Sequence, residues 1–266
     1  MKLIFLMILL GLNTVSNAIN PSRVYERTPD MYGLKYSQYQ TMTTDNYSIN
    51  VWEYAVSDSI EIDKTIIFVG TDAGNMSHLI ARAIFFLGKG VRVISFDYRG
   101  FGKSADFEIN KNFLFYPDFA LDLDSVIKTT RKKYPSDKIG LYALSMGTYI
   151  SLIRKEKIEF LIAEGFYNNP QEVVNRIKIN KGIIVLLPDQ TRTIQKLEPS
   201  SPLIIFCASN DKTTMTDDAR TFSKNNNAKI VEFNGEHLTG FQVLTKVDPG
   251  DEYLEMVMDF IKLNKL

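Results

Sequence analysis

A mostly parallel α/β sheet is predicted by three features of this 266-residue chain. From Lys64 onward, short runs of apolar β-formers alternate with longer stretches of helical period. The short runs, such as "KTIIFVG" and "PLIIFCAS", are hydrophobic throughout instead of alternating with polar residues. That is the pattern of strands covered on both faces by helices. No stretch has the composition of an interdomain linker, so one large core is expected.

The first eighteen residues, "MKLIFLMILLGLNTVSNA", stand apart. Lys2 supplies a positive start, Leu3 to Leu12 is unbroken apolar sequence, and Ser16 and Ala18 are small residues at cleavage spacing. These features read as a secretory signal peptide, cut after Ala18, leaving a secreted or periplasmic chain that begins at Ile19. The apolar run is half of the roughly 20 residues a spanning helix needs. The only cysteine is Cys207, far from the cut, so neither a lipid anchor nor an internal disulfide is expected.

Next come "LKYSQYQTMT" and "YSINVWEYAV", rich in Tyr, Val and Ile and separated by "TTDN", which read as an antiparallel hairpin. The strands that follow are "KTIIFVG", "VRVISFDY", "KIGLYAL", "FLIAEGF", "PLIIFCAS" and "AKIVEF". Helical periodicity falls on Ser77 to Leu87, Asp118 to Lys133, Met146 to Arg154, Thr216 to Lys224 and Glu252 to Leu263. The alternation breaks once, over 167–200, where one or two short helices or a small cap over the sheet are expected. The domain reading is therefore a leader over 1–18 and a single domain over 19–266.

Lys plus Arg and Asp plus Glu both total 31, with no basic run, which argues against a nucleic-acid partner. No His/Cys cluster has metal-ligand spacing. "GFGKS" lacks the spacing of a phosphate loop. No cofactor is implied.

In an open parallel sheet, reactive residues gather at the carboxyl ends of the strands. Ser145 follows "KIGLYAL" directly, with Ala143 two residues before and Gly147 two after. A nucleophile on a strained strand-to-helix turn needs small neighbours at both places; an ordinary helix-capping serine is the simpler alternative. A serine nucleophile needs a base, and the chain has two histidines. His237 in "FNGEHLTG" lies just past "AKIVEF", whereas His78 opens a helix, where a surface or capping role is expected. The base in turn needs an orienting carboxylate. Asp211 follows "PLIIFCAS", and Glu164 at the end of "FLIAEGF" is the competing candidate. Glu236 reads as a solvated loop residue and Cys207 as a small core hydrophobe.

The order Ser145, Asp211, His237, each after a different strand, resembles that of the α/β-hydrolase superfamily from about Lys64 to the C-terminus. "VISFDYRGFGKS", residues 93–104, is similar to the "DyRGyGxS" turn of small-capped bacterial hydrolases and serine aminopeptidase-like proteins, in which Gly100 and Gly102 are structural. Where relatives often carry "HGNAGN", this chain has "VGTDAGN", residues 69–75. The resemblance implies the N–H groups of Thr71 and Met146 as an oxyanion hole. Asp72, beside it, is expected to point away, into solvent or onto the next helix, because a carboxylate there would oppose the developing charge.

The resemblance implies an exported serine hydrolase acting on a small-molecule carboxylic ester or short peptide, with no membrane anchor once the leader is removed. The alternatives are a serine aminopeptidase, which needs acidic groups such as Glu172 or Asp189 to hold a free amine, a catalytically silent binding protein on the same fold, and a cell-envelope interaction module.

Overall fold

The computed structural model describes residues 17–55, 62–114, 116–198 and 200–266. The leader expected over 1–18 falls almost wholly outside the described residues. Ten strands are formed: β1 (Asn20–Pro21), β2 (Tyr36–Met42), β3 (Ser48–Tyr54), β4 (Lys64–Val69), β5 (Ala73–Gly74), β6 (Arg92–Phe96), β7 (Lys138–Leu144), β8 (Phe160–Glu164), β9 (Leu203–Ala208) and β10 (Ala228–Phe233). The helices are α1 (Ile80–Leu87), α2 (Tyr116–Lys133), α3 (Met146–Ile153), α4 (Pro170–Lys181), α5 (Thr216–Ser223), α6 (Gly240–Val243) and α7 (Asp251–Leu263).

Eight strands make one sheet in the order β10-β9-β8-β7-β4-β6-β3-β2. Only β3 runs against its neighbours, β2 and β6; every other pair is parallel. This is the fold of the α/β-hydrolases. Two-residue periodicity explains the hydrophobic runs. On β4, Ile67 and Val69 enter the core on the side of α2 and α3, while Ile66 and Phe68 enter the core under α1 and α7. On β9, Leu203, Ile205 and Cys207 face one side, Ile204, Phe206 and Ala208 the other. With both faces covered, no strand position is left for a polar alternation.

The break in the alternation is a single-helix excursion. Pro170 sits in the first turn of α4 and Gly182, at φ 69°, ends it, the usual placement of the two residues. The irregular stretch after it returns along the molecule. Asn168 Nδ2 donates to Ile194 O (2.8 Å) and Tyr149 Oη to Arg192 O (2.6 Å).

The "DYRGFG" turn is built around two buried acids. Arg99, 1% exposed, is gripped by Asp122 on α2 (Nη2–Oδ1 2.7 Å) and by Asp45 in the β2–β3 turn (Nη1–Oδ2 2.6 Å). Asp97 Oδ1 accepts the Met76 N–H (2.8 Å) while its Oδ2 accepts from Tyr25 Oη. A Cβ on Gly102, at φ 44°, would lie 1.9 Å from Asp97 Oδ2, so only glycine fits.

One element has no sequence signature. Residues 19–25 form a strap in which β1 pairs in parallel with β5, Asn20 with Ala73 and Pro21 with Gly74. Ser22 N–H donates to Gly74 O (2.8 Å), and Asn75 Nδ2 to Val24 O (2.7 Å).

Candidate active site

Ser145 stands between the last residue of β7 and the first of α3, with φ 49° and ψ −116°. A non-glycine residue at positive φ is strained, and such strain persists only where the surroundings over-determine it. Here β7 is tied on both sides, to β4 and β8, and the Ser145 N–H donates to Glu164 O (2.9 Å). Ser145 occupies the helix N-cap position, yet its side chain makes no capping bond. Its hydroxyl faces His237 instead. Gly147 lets the first turn of α3 approach the end of β4: an added Cβ would meet Val69 O at 2.3 Å and Gly70 O at 2.6 Å.

His237 lies on the loop after β10. Its Nε2 is 3.0 Å from Ser145 Oγ and its Nδ1 is 2.5 Å from Asp211 Oδ2. The imidazole packs on backbone, since a Cβ on Gly165 would come within 2.8 Å of its Cε1. Asp211, on the loop after β9, is nearly inaccessible, whereas His237 is half-exposed. The other Asp211 oxygen, Oδ1, accepts the N–H groups of Thr213 (2.8 Å) and Thr214 (2.9 Å). Burial alone would raise the Asp211 pKa, but the bond to His237, its charge and the Thr214 donors outweigh it and hold the carboxyl below its ordinary value. Asp211 is therefore ionised at neutral pH and able to stabilise an imidazolium.

Glu164, the competing acid, is turned elsewhere: its Oε1 accepts the Gly240 N–H at 2.7 Å. His78 is exposed and packs against Gly74, and it makes no hydrogen bond to Ser145 or Asp211. Cys207 is buried within β9, and burial pushes its thiol up to about 12.

Met146 is the first residue of α3, so its N–H has no acceptor within the helix. Thr71 lies on the loop between β4 and β5, where its Oγ1 takes the Ala73 N–H (3.3 Å) and donates to Ala73 O (3.1 Å). Tyr98 Oη donates to Gly70 O (3.1 Å) from below. With the close approach at Gly147, these contacts bring the two expected oxyanion donors to adjoining loops.

Asp72 is half-buried and not turned wholly into solvent. Burial raises its carboxyl pKa, partly offset by its own N–H and by the charges of His237 and Lys181, which line the cleft opposite it. The buried hydroxyls of Tyr98, Tyr116 and Tyr167 feel the same carboxyl. The strap holds this residue's backbone, since Asn20 N–H donates to Asp72 O (2.9 Å).

Thr214 was not singled out in the sequence. Its Oγ1 lies 2.5 Å from Asp211 Oδ2 and 3.3 Å from His237 Nδ1. The available signal was the Asp-x-x-Thr spacing of "DKTT", an arrangement that lets the aspartate accept from the following turn.

A groove of about 990 Å³ opens beside His237, between α4 and the Asp211 loop; Arg176, Ile179, Lys181, Lys212 and Met215 line it. Neither Glu172 nor Asp189 lines it. Glu172 is paired with Arg176 at 3.0 Å. Among the described residues no group of three or more His, Cys, Asp or Glu is placed to hold a metal, and no helix is long and apolar enough to cross a membrane.

Residues 69–157 match the family model described as serine aminopeptidase, S33. A curated relative, protein bem46 of Schizosaccharomyces pombe, is 23% identical over 189 residues, 66% of this chain; the chain spans 62% of that relative's length. Among solved structures, the Pyrococcus furiosus esterase Pf2001 aligns at TM-score 0.74 and 21% identity over 92% of this chain and 97% of that one. A serine hydrolase without a lid from Xanthomonas campestris aligns at TM-score 0.58 and 14% identity over 86% of this chain and 94% of that one.

Proposed function

We propose that this chain, which has the α/β-hydrolase fold, is an exported serine hydrolase that cleaves a carboxylic ester through an acyl-enzyme. One observation carries the reading. The imidazole of His237 reaches Ser145 Oγ with one nitrogen (3.0 Å) and Asp211 Oδ2 with the other (2.5 Å). A hydroxyl, a base and an orienting carboxylate in hydrogen-bond series form an activated nucleophile. The solved relatives described as esterases support an ester substrate, and the leader-like Met1–Ala18 supports export.

Ser145 Oγ attacks the carbonyl carbon while His237 Nε2 takes its proton. The charge that develops on the carbonyl oxygen is received by the Thr71 and Met146 N–H groups, donors already in place before reaction. Collapse expels the alcohol, which takes its proton from His237. A water deprotonated by His237 then attacks the acyl-serine, releasing the acid and restoring Ser145. Throughout, Asp211 keeps Nδ1 protonated and stabilises the imidazolium.

Labelling with a fluorophosphonate probe tests the reading. The wild-type chain is expected to label and to hydrolyse p-nitrophenyl esters. Ser145→Ala is expected to lose both while its melting temperature stays within a few degrees. Absence of labelling in the folded wild-type chain would leave a silent scaffold as the correct account.

A second reading is favoured by Asp72. A half-buried carboxylate next in sequence to Thr71, within reach of the His237 charge, would serve to hold an ammonium on the acyl group, the need of a serine aminopeptidase. The two readings part on one variant. If substrates are neutral esters, Asp72→Asn removes a charge opposed to the oxyanion and raises kcat/KM several-fold. If substrates are aminoacyl compounds, the same change lowers kcat/KM on an aminoacyl anilide.

A further inference from the structure

The loop that carries His237 holds a second strained residue. Leu238 has φ 59°, in the left-handed region that side chains rarely adopt. Two buried or half-buried ionic groups hold this loop from beneath. Glu164, 1% exposed at the end of β8, accepts the Gly240 N–H on Oε1 at 2.7 Å. Arg82, on α1, donates from Nη2 to Leu238 O at 3.3 Å. The loop residues on both sides of Thr239 are thus tied to opposite charges. Behind them, Glu164 Oε2, Arg82 Nε and the hydroxyls of Tyr142 and Tyr253 form a buried polar cluster in which each group feels the others. Glu164 also reaches the nucleophile, because its backbone O accepts the Ser145 N–H at 2.9 Å. One residue therefore holds the serine turn with its main chain and the histidine loop with its side chain.

We infer that Glu164 and Arg82 form an ion clasp that positions His237. They are positioning residues: neither contacts the imidazole, and both act through the backbone of Leu238 and Gly240. The inference rests on the reading of His237 as the base. It differs from the use of Glu164 as the triad acid, since that acid would have to reach Nδ1, which Asp211 occupies. The physical case is that a strained left-handed residue next to the base relaxes unless its carbonyl and the N–H two residues on are held. A loop relaxation of even 1 Å at a catalytic group costs on the order of a hundredfold in rate.

Three variants in the full chain test the clasp. Glu164→Gln keeps an oxygen for the Gly240 N–H and is expected to lose less than about tenfold in kcat. Glu164→Leu removes the acceptor and is expected to lose about a hundredfold in kcat on a p-nitrophenyl ester, with KM within about threefold. Arg82→Met, at a half-buried site that tolerates the change more readily, is expected to lose at least about tenfold in the same pattern. The second readout is independent of turnover. The proton shared by His237 Nδ1 and Asp211 gives a low-field proton resonance, which is expected to persist in Glu164→Gln and to broaden or shift in Arg82→Met and Glu164→Leu. A response of that resonance in a chain that hydrolyses no ester would support the clasp while overturning the hydrolase reading. Active, folded Arg82→Met with wild-type kcat and an unmoved resonance would overturn the clasp alone.

Discussion

Replacing Gly147 by alanine isolates the oxyanion loop from the rest of the catalytic apparatus. The added methyl carbon would lie 2.3 Å from Val69 O and 2.6 Å from Gly70 O, both backbone atoms. Ordinary contact begins near 3.4 Å, so one of the two segments must retreat by about 1 Å. Val69 ends β4 and is paired with Ala143 of β7, so that side of the contact is held by the sheet. The retreat therefore falls on residues 70–71 and the first turn of α3, and parts the Thr71 and Met146 N–H groups around the developing charge. Loss of one such donor costs roughly 10²–10³ in kcat, or about 3–4 kcal/mol of transition-state stabilisation. Overpacking itself costs about 1–3 kcal/mol of stability, so a control of matched damage is needed. Gly140→Ala supplies it: its Cβ would lie 2.1 Å from the Phe160 ring in the middle of β7, away from the loop. Steady-state kinetics and thermal unfolding of both variants decide the matter. Gly147→Ala should lose kcat and keep KM, whereas Gly140→Ala should lose stability and keep kcat. Wild-type turnover in Gly147→Ala, or equal losses in the two, would refute the reasoning.

Two further outcomes follow from the buried carboxylates. Asp211→Asn is expected to lower kcat by about 10⁴, the cost of presenting the wrong imidazole tautomer, and a loss under tenfold by steady-state assay would remove Asp211 from its role. Asp97 is pushed up to about 6 by burial, against about 3.9 in an unfolded chain. The folded chain thus binds an extra proton between those values. The stability this contributes is complete below about pH 4 and is lost as pH rises through about 6, a span of up to about 3 kcal/mol. Urea titrations at pH 5 and 8 should show that dependence in the wild type and a flatter one in Asp97→Asn; parallel profiles would contradict the assignment.

The sheet was legible because burial on both faces leaves a direct trace, unbroken hydrophobic runs of strand length between helical periods. The positions of Ser145, Asp211 and His237 were legible for a related reason, since each follows such a run. What required coordinates was orientation. A residue's place on a loop does not say which way its side chain turns, and the partial burial of Asp72 beside the strap left no trace in the sequence. Glu164 and Asp211 were both plausible acids, each at the end of a strand. Only the path of the histidine loop, which presents the Gly240 N–H to one and the imidazole to the other, separates them. The β1–β5 pairing escaped notice because two-residue strands carry no period at all.

That same strap changes what counts as the active site when the protein is handled. The loop bearing Thr71 owes its shape to a segment some fifty residues earlier in the chain, joined to it only through backbone pairing at Asn20–Pro21 and the bonds of Ser22 and Val24. Ile19 is fully buried beside it. A purification tag abutting Ile19, or a truncation chosen to tidy the amino terminus, therefore edits the oxyanion loop. On the proposed function, residues 19–25 belong with Ser145 and His237 in any recombinant design, and a preparation trimmed past them is expected to report low activity for a reason that no triad substitution would reveal.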